Sequence, residues 1–487
     1  MRRTRREGRR SRERSLSLPA DRKRRYRERP MPTYQAPRGM RDLLPEEAAG
    51  FDALEAVIRA RAARYGYPRI DTPVVEDRRV FLKTVGEATD IGYEMYDVGH
   101  AGEGGLTLRP EGTAAVTRAV LEHGLHRAPQ PLRFFYWEPM FRGQRTQLLR
   151  YRQFWQWGLE CYGAGEPPAD LEMIEFSAGL FAELGLTEFE LVANTVGDAK
   201  CQPKVRETLE AYFAAHRDSL SPESQRRLGA NVLRILDSKD PRDRAVTTAA
   251  PKPYDIVCDE DRRHFDSIVE GLDRLNIAYR VEPTLVRGLD YYTRTVFEFW
   301  LTNPEYTKAG HISVAGGGRY DDLVELMGGP SMPGVGLAGG VDVLYYALKQ
   351  QGARIEADLS ADVAILSAEK GDGTDRLQLA APLRQDGFSV AIEYSDRPLD
   401  KQLESAVKHG AKVAVIRGTP EARGGNVIVR DLVNKQQRVT RLAAVRTEVG
   451  RHVKRRPVPK LSEASPNADE HEAGAAGEAP YVPDDRD

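Results

Sequence analysis

Residues Phe141 to Glu160 read FRGQRTQLLRYRQFWQWGLE. The apolar run Arg133 to Phe141 before them has the length and composition of a strand, and Arg142 stands at its end. A polar loop with further arginines follows, and then a return strand on which Arg152, Phe154, Gln156, Gly158 and Glu160 alternate onto one face. The stretch therefore predicts a β-hairpin with one polar face. An arginine fork stays protonated and donates paired charge-assisted hydrogen bonds, so Arg142 and Arg152 suit phosphate, while Gln156 and Glu160 offer acceptors beside them. Together they point to a nucleotide and an amine on one sheet. A solvated hairpin with surface arginines fits the same residues.

Around the hairpin, 487 residues exceed one core, and 30% charged with 40% apolar residues describe a water-soluble globular chain of several domains. The formal net charge of -1 hides local asymmetry: residues 1–30 carry 14 Arg and Lys against 4 Asp and Glu. The tail after Leu461 is rich in Glu, Asp, Ala and Pro. Both ends read as disordered, with too little apolar surface to offset ordering entropy. Met31 opens a more globular-looking sequence, so the basic head reads as a dispensable arm. Cys161, Cys201 and Cys258 form no C-x-x-C pair, so neither a zinc site nor a disulfide framework is expected, and a reducing compartment follows. No apolar run approaches the roughly 18 residues that cross a bilayer, so no membrane partner is expected and a cytoplasmic location is simplest.

Apolar residues from Phe51 to Ala62 recur at helical spacing. YPRIDTPVVE then reads as a strand, which Pro73 marks as an edge or subunit boundary. In TLRPEGTAAV (107–116) a turn leads into a helix from about Thr113, with Thr113 at the cap and Glu111 just outside it. Residues 199–277 are helical by pattern and interrupt two strand-rich regions. In LVRGLDYYTRTVFEF (285–299), Arg287, Asp290, Tyr291 and Tyr292 cluster beside a glycine, an arrangement suited to an anion and a polar ring. AGGGRYDDL (315–323) reads as a strand, a glycine turn able to cradle an anion, and a helix. From Ala361, apolar strands alternate with helices, which predicts a small α/β domain with a largely parallel sheet.

These blocks, with RGMRDLLPEE (38–47), resemble the histidyl-tRNA synthetase family of class II aminoacyl-tRNA synthetases over nearly all of residues 32–445; LVRGLDYY is the most specific of them. The resemblance implies an α+β fold: an antiparallel sheet flanked by helices, a helical insertion, and a C-terminal α/β anticodon-binding domain. The boundaries so expected are a basic arm at 1–30, catalytic segments at 31–198 and 281–350 around an insertion at 199–280, a linker at 351–360, the anticodon-binding domain at 361–448 and a tail at 449–487. It further implies a homodimer, with Pro73 in the dimer-forming motif, that uses ATP and Mg²⁺ to join L-histidine to tRNA(His). Carried across by position, Glu111, Thr113 and Gln156 would meet the histidine α-amino group and its surroundings, and Glu160 and Tyr292 the imidazole. Gly112, Tyr291 and Tyr320 complete that pocket. Arg142 and Arg287 would be catalytic, Arg142 on the ATP α-phosphate and Arg287 bridging it to the substrate carboxylate. Arg145 and Gln147 would meet the tRNA acceptor end, and no side-chain metal ligands are implied. A histidine-sensing paralogue without chemistry, resembling the regulatory subunit of ATP phosphoribosyltransferase, is the alternative. The chain departs from the family where GGVDVL puts Asp342 and Val343 at the usual acid and arginine of motif three. In the hairpin loop it departs again, with Gln144 for an acid and Thr146, Leu148 and Leu149 where Pro, Lys and Gly are common. Loss of an anchoring cation costs on the order of 1.5–3 kcal/mol.

Overall fold

A computed structural model describes residues 34–456 except 86–89, 100–104, 308–310, 354 and 356–359. The basic arm, half of the linker and the tail beyond 456 lie outside the described residues. The chain forms two compact units, residues 1–357 and 358–487.

In the first unit, β1 (Val75–Asp77), β2 (Tyr96–Val98) and β3 (Leu106–Leu108) make a small sheet. The main sheet comprises β4 (Leu132–Phe141), β5 (Gln153–Tyr162), β6 (Phe189–Thr195), β7 (Arg280–Val281), β8 (Thr293–Leu301), β9 (Ser313–Arg319) and β10 (Gly334–Gly340). Its order is β4-β5-β10-β9-β8-β6-β7, antiparallel throughout except for the β6–β7 pair. The predicted hairpin is β4–β5, paired from Leu132↔Tyr162 to Phe141↔Gln153.

Alternation along β5 divides the sheet into two faces. Trp157, Leu159 and Cys161 enter a core shared with helices Pro45–Arg64, Pro167–Leu184, Asp259–Arg274 and Val341–Gln350. Gly158, Glu160 and Tyr162 take the opposite face, where Tyr136, Tyr291, Tyr292 and Tyr320 gather beside helix Thr113–Glu122. A fully buried ion pair, Arg319 with Asp170, joins β9 to helix Pro167–Leu184. Arg319 also donates to Ala164 O at 2.9 Å and to Asp321 at 3.1 Å, so its donors are spent inside the protein.

Several sequence expectations need correction. Of YPRIDTPVVE only Val75 and Glu76 lie in a strand, which ends at Asp77, and the preceding residues touch the main sheet through an isolated Arg69↔Phe135 bridge. Pro68 and Pro73 have no N–H to donate, which prevents a continuous ladder. The triplet Gly316–Gly318 is not a turn that cradles an anion but the middle of β9. A Cβ on Gly317 would lie 2.1 Å from Gly336 O, so close strand packing accounts for that glycine. Cys201 and Cys258 are far apart in sequence yet joined as a disulfide, their Cα atoms 5.9 Å apart.

Between the two catalytic segments, Cys201, Val205, Leu209, Phe213, Ile235 and Val257 bury a cluster of their own. Phe265, Ile268 and Leu272 of the following helix join the main core instead. In the second unit, β11 (Val363–Ser367), β12 (Val390–Ile392), β13 (Val413–Arg417), β14 (Asn426–Asp431) and β15 (Gln437–Arg441) form a sheet ordered β12-β11-β13-β14-β15. It is mixed rather than largely parallel, since β13–β14 and β14–β15 are antiparallel. The short Asp431 to Gln436 turn can return the chain only as a hairpin. Among the described residues no helix is long and apolar enough to cross a membrane.

Candidate active site

Glu160 lies at the bottom of the polar face, fully buried. Thr113 Oγ1 donates to its Oε1 at 2.7 Å, and Tyr320 Oη donates to its Oε2. Burial raises its pKa to about 8 although both hydrogen bonds pull it down, so at neutral pH the side chain is mainly the neutral acid. The register makes room for this group: Gly336 pairs with Glu160, and a Cβ there would stand 2.1 Å from Glu160 Oε2 and 2.6 Å from Tyr320 Oη.

Glu111 Oε2 accepts from Thr113 N at 2.7 Å and Oε1 from Ala114 N at 2.9 Å. Gly112 is the helix N-cap residue, so the capping side chain is Glu111 and not Thr113, whose hydroxyl is turned to Glu160. Burial raises the Glu111 pKa against these amides and the Arg142 charge. Gly112 leaves space for Tyr136, whose Cζ would be 2.6 Å from an added Cβ.

Arg142 leaves the end of β4, donates from Nε to Pro110 O at 2.8 Å and lies over the Phe154 ring, 5.3 Å from its centroid. Burial lowers its pKa, and the carboxylates Glu111 and Glu94 oppose that. Arg287 pairs with Glu298 and lies 5.6 Å from the Tyr292 ring centroid. Burial works against its charge, yet Glu298 and Tyr292 hold its pKa above the ordinary value. Gly316 admits this guanidinium, since an added Cβ would be 2.6 Å from Arg287 Nη1. Tyr291 packs between Tyr292, tilted to it at 4.8 Å, and Tyr320, edge-on at 5.7 Å. Arg287 Nε and Gln156 Oε1 are buried without hydrogen-bond partners, a costly state unless a ligand supplies them.

Glu111, Gly112, Thr113, Gln156, Glu160, Tyr291, Tyr292 and Tyr320 thus line one polar face, with Arg142 and Arg287 carrying its positive charge. Arg152 does not join them: it donates to Gln144 O in the hairpin loop and to Arg38 O of the N-terminal segment. Asp290 is held by Asn231 at 2.7 Å. Arg145 and Gln147 are exposed on the loop, and Leu149 there has φ 59°, a left-handed backbone that favours glycine.

Arg41 escaped the sequence reading. It donates to Asp342 at 2.6 Å and stacks 4.7 Å from the Tyr151 ring centroid, while Asp342 Oδ2 accepts from Trp155 N at 3.0 Å. The basic residue in RGMRD was the available signal, but its partner is 301 positions away.

The sequence model of histidyl-tRNA synthetase matches residues 39–344, and that of an anticodon binding domain matches residues 362–451. A histidine–tRNA ligase of Desulforudis audaxviator is 43% identical over 397 residues, 81% of this chain and 93% of its own. The same-named protein of Anaeromyxobacter dehalogenans is 41% identical over 413 residues, 85% and 98% of the two chains. The crystal structure of apo histidyl-tRNA synthetase from S. aureus superposes with a TM-score of 0.72 at 31% identity, covering 85% of this chain and 99% of that one. On this sequence and structural agreement, the chain belongs to the histidyl-tRNA synthetase family.

Proposed function

We propose that this protein activates L-histidine with MgATP and transfers the histidyl group to tRNA(His), working as a cytoplasmic homodimer. The observation that carries the histidine assignment is Glu160, a fully buried carboxyl held by two hydroxyls on the polar face of the sheet. An imidazole can donate to it, while an apolar side chain would leave it without a ligand partner; such a mismatch is strongly selective.

In the first step a substrate carboxylate oxygen attacks the α-phosphorus. The P–O bond to the leaving group breaks, and pyrophosphate departs with the electron pair. Arg142 would hold the α-phosphate, and Arg287 would bridge the substrate carboxylate and that phosphate, offsetting charge that grows on the equatorial oxygens. Glu111 and Gln156 would orient the α-amino group, with Thr113 setting the edge of its site and Tyr291, Tyr292 and Tyr320 enclosing the ring. Positioning of the two reactants supplies most of the remaining effect. In the second step a hydroxyl of the terminal adenosine attacks the adenylate carbonyl and AMP leaves, with Arg145 and Gln147 on the loop that meets the acceptor end.

Val343, in place of the usual arginine, favours a second reading, a histidine-binding protein without chemistry. Histidine-dependent exchange of labelled pyrophosphate into ATP, with Mg²⁺ and no tRNA, separates the two. Exchange with histidine alone among amino acids supports activation. A protein that binds histidine by calorimetry but shows no exchange refutes it.

A further inference from the structure

Two helices begin at the disulfide. Cys201 is the N-cap residue of helix Gln202–Ala215 and Cys258 that of helix Asp259–Arg274, and neither side chain makes a capping hydrogen bond. Asp198 lies three residues before the first cysteine and Asp261 three residues after the second. One ligand atom from each of these four residues lies within 4.8 Å of the others. A tetrahedron built on ordinary Zn–S and Zn–O bonds has edges of about 3.4–3.8 Å. Asp261 Oδ2 accepts from Asp198 N at 2.6 Å and Asp198 Oδ1 from Cys201 N at 2.9 Å, so both carboxylates are already held within the cluster, and a metal would use their remaining lone pairs once the sulfurs separate.

The charges at the cluster are partly offset. Arg294 donates to Asp261 at 2.9 Å and reaches Asp198 at 3.7 Å while also pairing with Glu260 at 3.0 Å, and the two helix N-termini add about half a positive charge each. Exchanging two thiol protons for one divalent cation leaves the net charge unchanged. The helix N-termini favour thiolates, and a pair of thiolates with two carboxylates selects a borderline-soft tetrahedral ion over magnesium or calcium. We propose that Asp198, Cys201, Cys258 and Asp261, with the sulfurs reduced, form a zinc-binding site that ties the helical insert to the end of β6. This site shares no ligand with the histidine pocket, although Gln202, next to Cys201, donates to Tyr292 O at 2.8 Å.

The test uses the full chain, reduced with a water-soluble phosphine. The S–S bond breaks, the phosphine takes the oxygen of water to become its oxide, and the two water protons go to the sulfurs. The reduced protein is then dialysed with zinc or cobalt(II) and freed of excess metal. The expected result is about one metal per chain, a thiolate-to-cobalt charge-transfer band, and slowed reaction of Cys258 with a chromogenic thiol reagent. Cys258→Ser, at an exposed position, and Asp198→Asn should each lower metal retention at least tenfold, with pyrophosphate exchange showing that the variants remain folded. Metal no higher than in a Cys201→Ser/Cys258→Ser double variant, or metal without the charge-transfer band, overturns the site. So does a pair that merely reoxidises while zinc is present in excess. The wild-type cobalt spectrum decides the matter even where a variant fails to fold.

Discussion

Replacing Glu160 with Gln tests the electrostatics of the pocket directly. An ordinary glutamate ionises near pH 4.5, whereas burial raises Glu160 to about 8. Below pH 4.5 the side chain is protonated in folded and unfolded chains alike. Between those values the unfolded chain releases its proton while the folded one retains it, so wild-type stability falls as pH rises and the full cost is present above pH 8. At about 1.4 kcal/mol per pH unit, that cost is about 5 kcal/mol. The substituted amide has no such titration. It has one carbonyl oxygen for two hydroxyl donors, so one hydroxyl must turn round, a pH-independent loss of about 1 kcal/mol. Every other ionising group is common to both proteins. The Glu160→Gln variant should therefore be the less stable at pH 4.5 and the more stable by several kcal/mol at pH 9. All four tryptophans lie in the first unit, three of them in the β4–β5 hairpin and Trp300 in β8, so tryptophan fluorescence during urea unfolding follows this unit. A stability difference between the two proteins that does not change from pH 4.5 to 9 refutes the buried, proton-holding Glu160. In histidine calorimetry at pH 9, where Glu160 is ionised, the same variant should lose about 10- to 150-fold in affinity, the range for a hydrogen bond to a charged group.

Arg287→Ala should abolish adenylate formation without unfolding the protein, and near wild-type pyrophosphate exchange would remove Arg287 from the mechanism. Gly316→Ala places a Cβ 2.6 Å from Arg287 Nη1 and 3.0 Å from Phe297 O; exchange should slow about 10- to 150-fold from the displaced guanidinium, and an unchanged rate would show that Arg287 is mobile enough to yield. Asp170→Ala removes the buried carboxylate partner of Arg319 and leaves it Asp321 at 3.1 Å; it should cost about 3 kcal/mol in urea unfolding, with Asp170→Glu measured beside it as the charge-retaining control. Arg41→Met leaves Asp342 with only the Trp155 amide and should destabilise the first unit by about 1–3 kcal/mol; an unaltered midpoint would show that solvent replaces the guanidinium.

What the sequence made legible was local. The β4–β5 hairpin announces itself through strict alternation, and Glu111 to Thr113, Arg287 to Tyr292 and Glu160 each sit in a contiguous block whose chemistry can be read residue by residue. What stayed hidden depends on partners far along the chain. Gly316–Gly318 carries the same signal as a turn, and its reason is the close approach of Arg287 and of the β10 backbone. Cys201 and Cys258 meet only because both begin helices that start from the same corner of the sheet. Arg41 gives no sign in sequence that Asp342 will hold it. Thr113 looks like a cap because threonine commonly is one, and only the geometry shows Glu111 doing that work while the hydroxyl turns to Glu160.

The pocket also explains an oddity of β10, GVGLAGG. Its Val335 and Leu337 enter the helix-covered core, while Gly334, Gly336 and Ala338 alternate onto the other face. In an ordinary half-buried strand that second face carries polar side chains. Here it is almost bare, because side chains from the neighbours cross it: Tyr320 lies over Gly334 and Gly336, and Glu160 over Gly336. A strand with no side chains on one face cannot itself contribute ligands, so its role is to be a floor. The groups that recognise a substrate then come from its two flanks, Gln156 and Glu160 on β5, and Arg287 and Tyr292 on the segment leading into β8. That division fixes the order of effects for substitutions. Bulk added to the floor should displace several recognition groups at once, so Gly336→Ala should impair histidine binding more than removal of the Tyr320 hydroxyl alone. A Gly336→Ala protein that binds histidine as tightly as Tyr320→Phe would show that the floor yields, and that the pocket is shaped by its walls.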